Sequence, residues 1–256
     1  MPNILIIDSD TAELNAGLIA SQGMTTGQNY AAALMACDAK VNATVVAPYE
    51  GEATPELQGF DGVVFTGSGV SWNTDDTRAE PLAEIMRKVF AAGLPTLGSC
   101  NGMQLAASVL GGSSAASPKG REDGLARDVQ LTEAGRHHPF MAGRREGFAV
   151  PCVHRDEVSQ LPEGAVLLAT NAHSEVQAFA YEQDGIRFWG VQYHPEYDPK
   201  DFGPDLIRWE RLPEEAARDI AAAPEDPEAA ARLGIRAEDL WPEVRMTELR
   251  NWLASL

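Results

Sequence analysis

The chain has 256 residues, with 20 Lys plus Arg against 38 Asp plus Glu and a net charge of −18. A surface that acidic repels phosphate backbones and anionic lipid, which argues against nucleic-acid or membrane-surface binding, while the length is enough to bury a substantial core. The three cysteines, Cys37, Cys100 and Cys152, lack metal-ligand spacing and cannot all pair with one another, which fits a reducing, cytoplasmic setting.

In chain order, Ile4 to Ile7 reads as a short apolar strand that ends at Asp8. No signal-type segment precedes it, and no apolar run reaches the length of a membrane span. Tyr30 to Ala39 is an alanine-rich helical stretch, Val41 to Ala47 a β-branched strand, and Gly62 to Phe65 a buried strand entering the loop Thr66 to Ser71. Arg78 to Ala92 places Leu82, Ile85, Met86 and Val89 at helical spacing; Gly93 stops it, and Pro95 to Ser99 is the next strand. Fully apolar strands alternating with helices predict an α/β three-layer sandwich, in which helices cover both faces of a central, mostly parallel sheet.

Beyond a helix starting near Gly102 the pattern turns to short strands: Gly124 to Thr132, Phe148 to Val153, Val166 to Thr170, Val176 to Glu182 and Ile186 to Gln192. Asp184-Gly185 reads as the hairpin turn before the last of them. After Pro199 the chain becomes helical again, over Pro213 to Ala223, Pro227 to Leu233 and Arg245 to Leu256. Trp241, Leu249, Trp252 and Leu253 give this tail apolar anchors, so residues 1–207 are expected to form the main domain, with 208–256 as a helical extension packed on it.

Cys100 carries the strongest chemical signal. In Pro95-Thr96-Leu97-Gly98-Ser99-Cys100-Asn101-Gly102-Met103-Gln104, a strand end runs into a cysteine flanked by glycines, the layout of a nucleophile on a tight strand-to-helix turn. An ordinary thiol titrates near about 8.5 and needs help to ionise; a helix start and a nearby imidazole both supply it. Far downstream, Gly190-Val191-Gln192-Tyr193-His194-Pro195-Glu196 offers a histidine and a carboxylate two residues apart, on one side of an extended segment. His194 is therefore the candidate base and Glu196 the group that orients it. The backbone N–H of Asn101 and those of Gly69 and Val70, in the loop after a buried strand, are candidate oxyanion donors. Taken singly, each feature has a plainer reading: Cys100 as a small buried apolar residue, His194 as a surface group, and Gly67-Ser68-Gly69 as one more tight turn. No lysine follows that loop, so it does not read as a phosphate loop.

The segments around Cys100 and His194 closely resemble the signatures of class I glutamine amidotransferase domains, above all the glutaminase domain of GMP synthases and its stand-alone relatives. Val63-Val64-Phe65-Thr66-Gly67, Gly120-Arg121-Glu122-Asp123-Gly124 and Val153-His154-Arg155-Asp156-Glu157-Val158 support the resemblance, which covers roughly residues 1–210 in the family's order. It implies a flavodoxin-like topology and a reaction in which Cys100 attacks the side-chain amide of glutamine. A γ-glutamyl thioester forms, ammonia leaves, and water releases glutamate. It also implies substrate contacts from Gln104 and from Val153, His154 and Arg155, and no metal or organic cofactor.

Ser99, Arg155 and the 68–73 loop depart from the family pattern, so a γ-glutamyl amide or peptide hydrolase is the alternative to glutamine hydrolysis. A binding or regulatory subunit is the non-enzymatic alternative. No ATP-binding synthetase motif follows in the chain, so ammonia would pass to a separate synthetase or the enzyme would act alone. Arg155 and Trp72 are the side chains expected to read the leaving amine or the glutamyl carboxylate.

Overall fold

The computed structural model describes all 256 residues. Its strands are β1 (Asn3–Ile7), β2 (Asn42–Val46), β3 (Gly62–Phe65), β4 (Thr96–Ser99), β5 (Ser113–Ala116), β6 (Glu122–Leu131), β7 (Phe148–His154), β8 (Asp156–Gln160), β9 (Val166–Thr170), β10 (Ala178–Tyr181) and β11 (Phe188–Val191). Nine of them form one sheet in the order β2-β1-β3-β4-β11-β10-β9-β6-β7, while β5 and β8 pair separately. The pairs from β2 through β11 are parallel, and every pair from β11 to β7 is antiparallel. The sheet is therefore mixed rather than mostly parallel. Sequence alternation identifies a strand but not which way its neighbour runs, and the short connections after Gly124 favour antiparallel return.

The helices are α1 (Ala12–Gln22), α2 (Thr26–Cys37), α3 (Glu80–Ala91), α4 (Asn101–Val109), α5 (Glu133–His137), α6 (Pro199–Arg208), α7 (Glu214–Ala222), α8 (Pro227–Leu233), α9 (Pro242–Arg245) and α10 (Thr247–Ala254). None is long and apolar enough to cross a membrane. Side-chain alternation in β1 divides the core: Ile4 and Ile6 face α2 and α10 through Tyr30, Leu34, Leu249 and Trp252, while Leu5 and Ile7 face α3 and α4. A third apolar cluster joins Phe202 and Leu206 of α6 to Ala217 and Ile220 of α7 and to Leu125 of β6.

Two elements escape the sequence pattern. α1 buries only Asn15 and so carries no apolar stripe; it is defined by its ends, with Thr11 accepting from Leu14 N–H and Gly23 turning at φ 81°. The β5–β8 ribbon is held by pairing from Ser113 to Gln160, across residues too polar to read as a buried strand. By contrast, Asp184 and Gly185 both take positive φ, 53° and 81°, and make the tight β10–β11 turn that their sequence predicts.

The register places the site. Ile7 lies beside Phe65, Phe65 beside Gly98, and Ser99 beside Val191, so the chain leaves β1, β3, β4 and β11 at one carboxyl edge. Asp8 to Asp10, Thr66 to Val70, Cys100 and Gln192 to Glu196 converge there.

Candidate active site

Cys100 stands at the N-cap of α4 with φ 49° and ψ −107°, a conformation that costs a non-glycine residue about 1–3 kcal/mol. Surrounding bonds enforce it. Cys100 N–H donates to Val191 O at 2.7 Å, and the Cys100 carbonyl accepts from Gln104 N–H at 3.0 Å. The flanking glycines permit the close crossing. A Cβ on Gly102 would lie 2.3 Å from Phe65 O, and one on Gly98 would lie 2.7 Å from the Gly102 carbonyl carbon. Asn101 opens α4, so its N–H has no acceptor inside the helix and lies next to the thiol.

Gly67 is where Cys100 and His194 meet. A Cβ there would sit 2.6 Å from His194 Cε1 and 3.5 Å from Cys100 Cβ, so any side chain would enter the space the two share. His194 Nδ1 and Glu196 Oε1 lie 2.7 Å apart, and both residues are buried. The imidazole lies flat against Tyr197, with centroids 4.3 Å apart and planes 3° from parallel. Its Nε2 has no hydrogen-bond partner yet lies close enough to Cys100 for the thiol to act on its charge. Burial pulls the His194 pKa down, but the Glu196 carboxylate and the facing thiol override it and raise the value to about 10. The ring is thus an imidazolium at neutral pH, suited to face a thiolate and later to give up its proton.

The loop donors differ from expectation. Gly69 N–H donates to Asp10 Oδ1 at 2.7 Å, and Val70 N–H lies 3.3 Å from Ser68 Oγ. Both groups are engaged elsewhere, so neither faces an oxyanion in this structure; Gly67 is the loop residue that touches the site. Asp10 was not singled out from sequence. It also accepts from Ser68 Oγ at 2.8 Å and from Thr26 Oγ1 at 2.6 Å, clamping the loop to α2. An acidic residue three positions after the apolar strand is the one sequence signal for it.

The other expected substrate contacts are mostly bound to protein. Gln104 Nε2 donates to Asp156 O at 2.6 Å and to Gln192 Oε1 at 3.1 Å, which ties α4 to β8. Val153 O faces the thiol, 3.8 Å from Cys100 Sγ. Arg155 grips Asp156 with two bonds of 2.7 and 2.8 Å and donates to Ser71 O at 2.7 Å, pinning the 68–73 loop to β8. Trp72 carries the Arg78 guanidinium 4.6 Å above its ring and the Tyr49 ring at its edge. Ser99 is also out of the pocket, buried and 2.8 Å from the Tyr30 hydroxyl.

His154, expected from the resemblance to contact substrate, has both nitrogens occupied: Nε2 lies 2.9 Å from Glu122 Oε2 and Nδ1 2.9 Å from Asp156 O. Cys152 adds a thiol to this buried group, and the three ligand-type atoms lie within 4.8 Å of one another, a separation compatible with a metal. Gln177 and Asn171 donate to Glu122 at 2.7 and 2.6 Å, however, so the carboxylate is already satisfied by protein donors.

The sequence matches the family described as glutamine amidotransferase class-I over residues 19–212. It is 34% identical over 202 residues to the γ-glutamyl-L-1-hydroxyisopropylamide hydrolase of a Pseudomonas species, spanning 75% of this chain and 67% of that one. Identity to the glutamine-hydrolysing GMP synthase of Clostridium novyi is 33% over 145 residues, or 57% of this chain but 26% of that protein. A glutamine amidotransferase structure from Thermotoga maritima shares the fold, with a TM-score of 0.64 at 18% identity over 99% of this chain and 97% of that one. With an ion-paired imidazole set against a cysteine at a strained strand end, the chain belongs to the class I glutamine amidotransferase family and is a cysteine-dependent hydrolase.

Proposed function

We propose that the protein is a γ-glutamyl amide hydrolase in which Cys100 is the nucleophile, His194 the acid and base, and Glu196 the group that orients and charges His194. The observation that carries the chemistry is the meeting of Cys100 and His194 across Gly67, with Glu196 bonded to the far nitrogen of the ring. The Cys100 thiolate adds to the γ-carbonyl carbon, and the carbonyl π pair moves to oxygen, where Asn101 N–H can donate. Collapse reforms the carbonyl and breaks the carbon–nitrogen bond, while His194 Nε2 gives its proton to the departing amine. The neutral ring then takes a proton from water as hydroxide adds to the thioester carbon. Expulsion of the thiolate leaves glutamate.

The substrate choice reverses the preference for free glutamine reached from sequence. It rests on the similarity to the Pseudomonas amide hydrolase, which covers more of this chain than the match to the GMP synthase does. A release assay compares free glutamine, γ-glutamyl alkylamides and γ-glutamyl peptides at equal concentration. The expected result is faster release from a substituted amide than from glutamine, with no partner added. The similarity to GMP synthase supports a second reading, an ammonia supplier for a separate synthetase. Turnover of glutamine alone, rising when a synthetase is added, would replace the first reading with the second.

A further inference from the structure

The residues on both sides of His194 are tied to the C-terminal helices. Tyr193, just before it, is fully buried, and its hydroxyl donates to Glu248 Oε1 at 2.8 Å. Pro195, just after it, offers its carbonyl to Arg245 Nη1 at 2.5 Å. One end of the network therefore reaches the peptide that joins the base to its orienting carboxylate.

These are not surface contacts. Arg245 is 3% exposed and Glu248 0%. Arg144, from the turn before β7, binds both Glu248 oxygens at 2.6 Å and also donates to Arg245 O at 2.8 Å. It stacks over Phe148, 4.4 Å from the ring centre. Removing an ion from water costs several kcal/mol, and a buried pair often stabilises no better than packed apolar groups. Met246, Leu249 and Trp252 already anchor the tail by packing alone. The buried charges thus do something that packing does not: they fix the position of named backbone atoms around the site. The Glu196 carboxylate also acts on the charge of Arg245, which places the guanidinium in the field of the catalytic pair.

We infer that Arg245 and Glu248 are positioning residues for the His194–Glu196 pair, so that the C-terminal extension completes the active site rather than serving only as a cap or a docking surface. This rests on the assignment of His194 and Glu196 above. Arg245 holds the Pro195 carbonyl, and Glu248, held in turn by Arg144, holds the Tyr193 hydroxyl. Between them they set the turn that aims His194 Nε2 at the thiol.

The test uses the full chain with Arg245→Met, which keeps an unbranched apolar stem and removes the guanidinium and its donors, and Arg245→Lys, which restores one donor and the charge. Two readouts are followed: steady-state release of amine, and the rate at which iodoacetamide alkylates Cys100, which needs no substrate. Arg245→Met is expected to lower kcat about 10- to 100-fold with KM within about twofold of the parent, since a misplacement of about 1 Å at the reacting groups costs up to about 100-fold. Cys100 alkylation should slow in parallel, and Arg245→Lys should recover most of both. Should Arg245→Met melt below the assay temperature, Tyr193→Phe, which removes a single hydroxyl, should show the same split to a smaller degree. Parent-like kcat and alkylation in a folded Arg245→Met protein overturn the inference. If no γ-glutamyl compound is turned over by the parent, the proposed function fails, while the alkylation rates still decide the role of Arg245.

Discussion

Replacing Glu196 with Gln should lower the alkaline limit of catalysis. An ordinary imidazole titrates near about 6.5. In this fold burial, the largest single influence, pulls the His194 pKa down, yet Glu196 and the facing sulfur together outweigh it and raise the value to about 10. The difference is worth about 5 kcal/mol of added preference for the charged ring, at about 1.36 kcal/mol per unit. Gln can still accept a proton from Nδ1 at the 2.7 Å contact, but it carries no charge to hold against burial. Only the facing Cys100 sulfur would then favour the charged ring, so the imidazolium should survive to a lower pH than in the parent. The linkage follows the same sign: a raised pKa contributes stability that is complete below about pH 6.5 and is lost as pH rises through about 10. The assay is kcat/KM against pH on a chromogenic γ-glutamyl anilide, beside the pH profile of Cys100 alkylation. The parent should lose activity near pH 10 and Glu196→Gln at a clearly lower pH, with the variant also losing part of the parent's extra stability at neutral pH. An alkaline limit unchanged by the substitution would refute the ion-pair argument.

Cys100→Ala should abolish turnover with the fold intact. Cys100→Gly should be equally inactive yet melt higher than Cys100→Ala, because glycine removes about 1–2 kcal/mol of strain at φ 49°. Gly102→Ala should lose about 3 kcal/mol or more in a urea titration and most activity, since its Cβ would lie 2.3 Å from Phe65 O. Asp10→Asn should cost about 1–2 kcal/mol and slow catalysis, because an amide cannot accept from Gly69 N–H, Ser68 and Thr26 together.

The features legible in the sequence were those set by local rules. Apolar runs ending at Ile7, Phe65 and Ser99 mark strands because a strand buried on both faces has few polar positions, and their ends define the edge where the site forms. Cys100 and its glycines were visible because a crossing this tight leaves no room for side chains. What the sequence hid depends on distant partners. Whether Gly69 N–H is free depends on Asp10, 59 residues away, and whether Arg155 is free depends on Ser71, 84 away. The tail reads as alanine-rich helix, and nothing local shows that Arg245 reaches Pro195 or that Glu248 meets Arg144. The reversal to antiparallel pairing at β11 was hidden for the same reason, since pairing direction is set by where each strand returns.

The molecule holds two trios of cysteine, histidine and carboxylate, and their environments separate them. In the trio of Cys152, His154 and Glu122, the thiol is buried at 0% exposure and lies 3.7 Å from the Glu122 carboxylate. Burial first, and then that carboxylate, push its pKa well up, which suppresses the thiolate. His154 cannot help, because it faces an oxygen through each ring nitrogen and has none left for sulfur. Cys100 has the reverse arrangement: a helix start behind it, no carboxylate bonded to its sulfur, and an imidazole whose only bonded partner is the carboxylate that charges it. Residue type and proximity are shared by both trios. What distinguishes them is the direction of the charge: Glu122 faces its thiol, whereas Glu196 faces the far side of the imidazole and leaves the near side for sulfur. A nucleophile needs the second order, in which the carboxylate is separated from the thiolate by a proton-carrying ring.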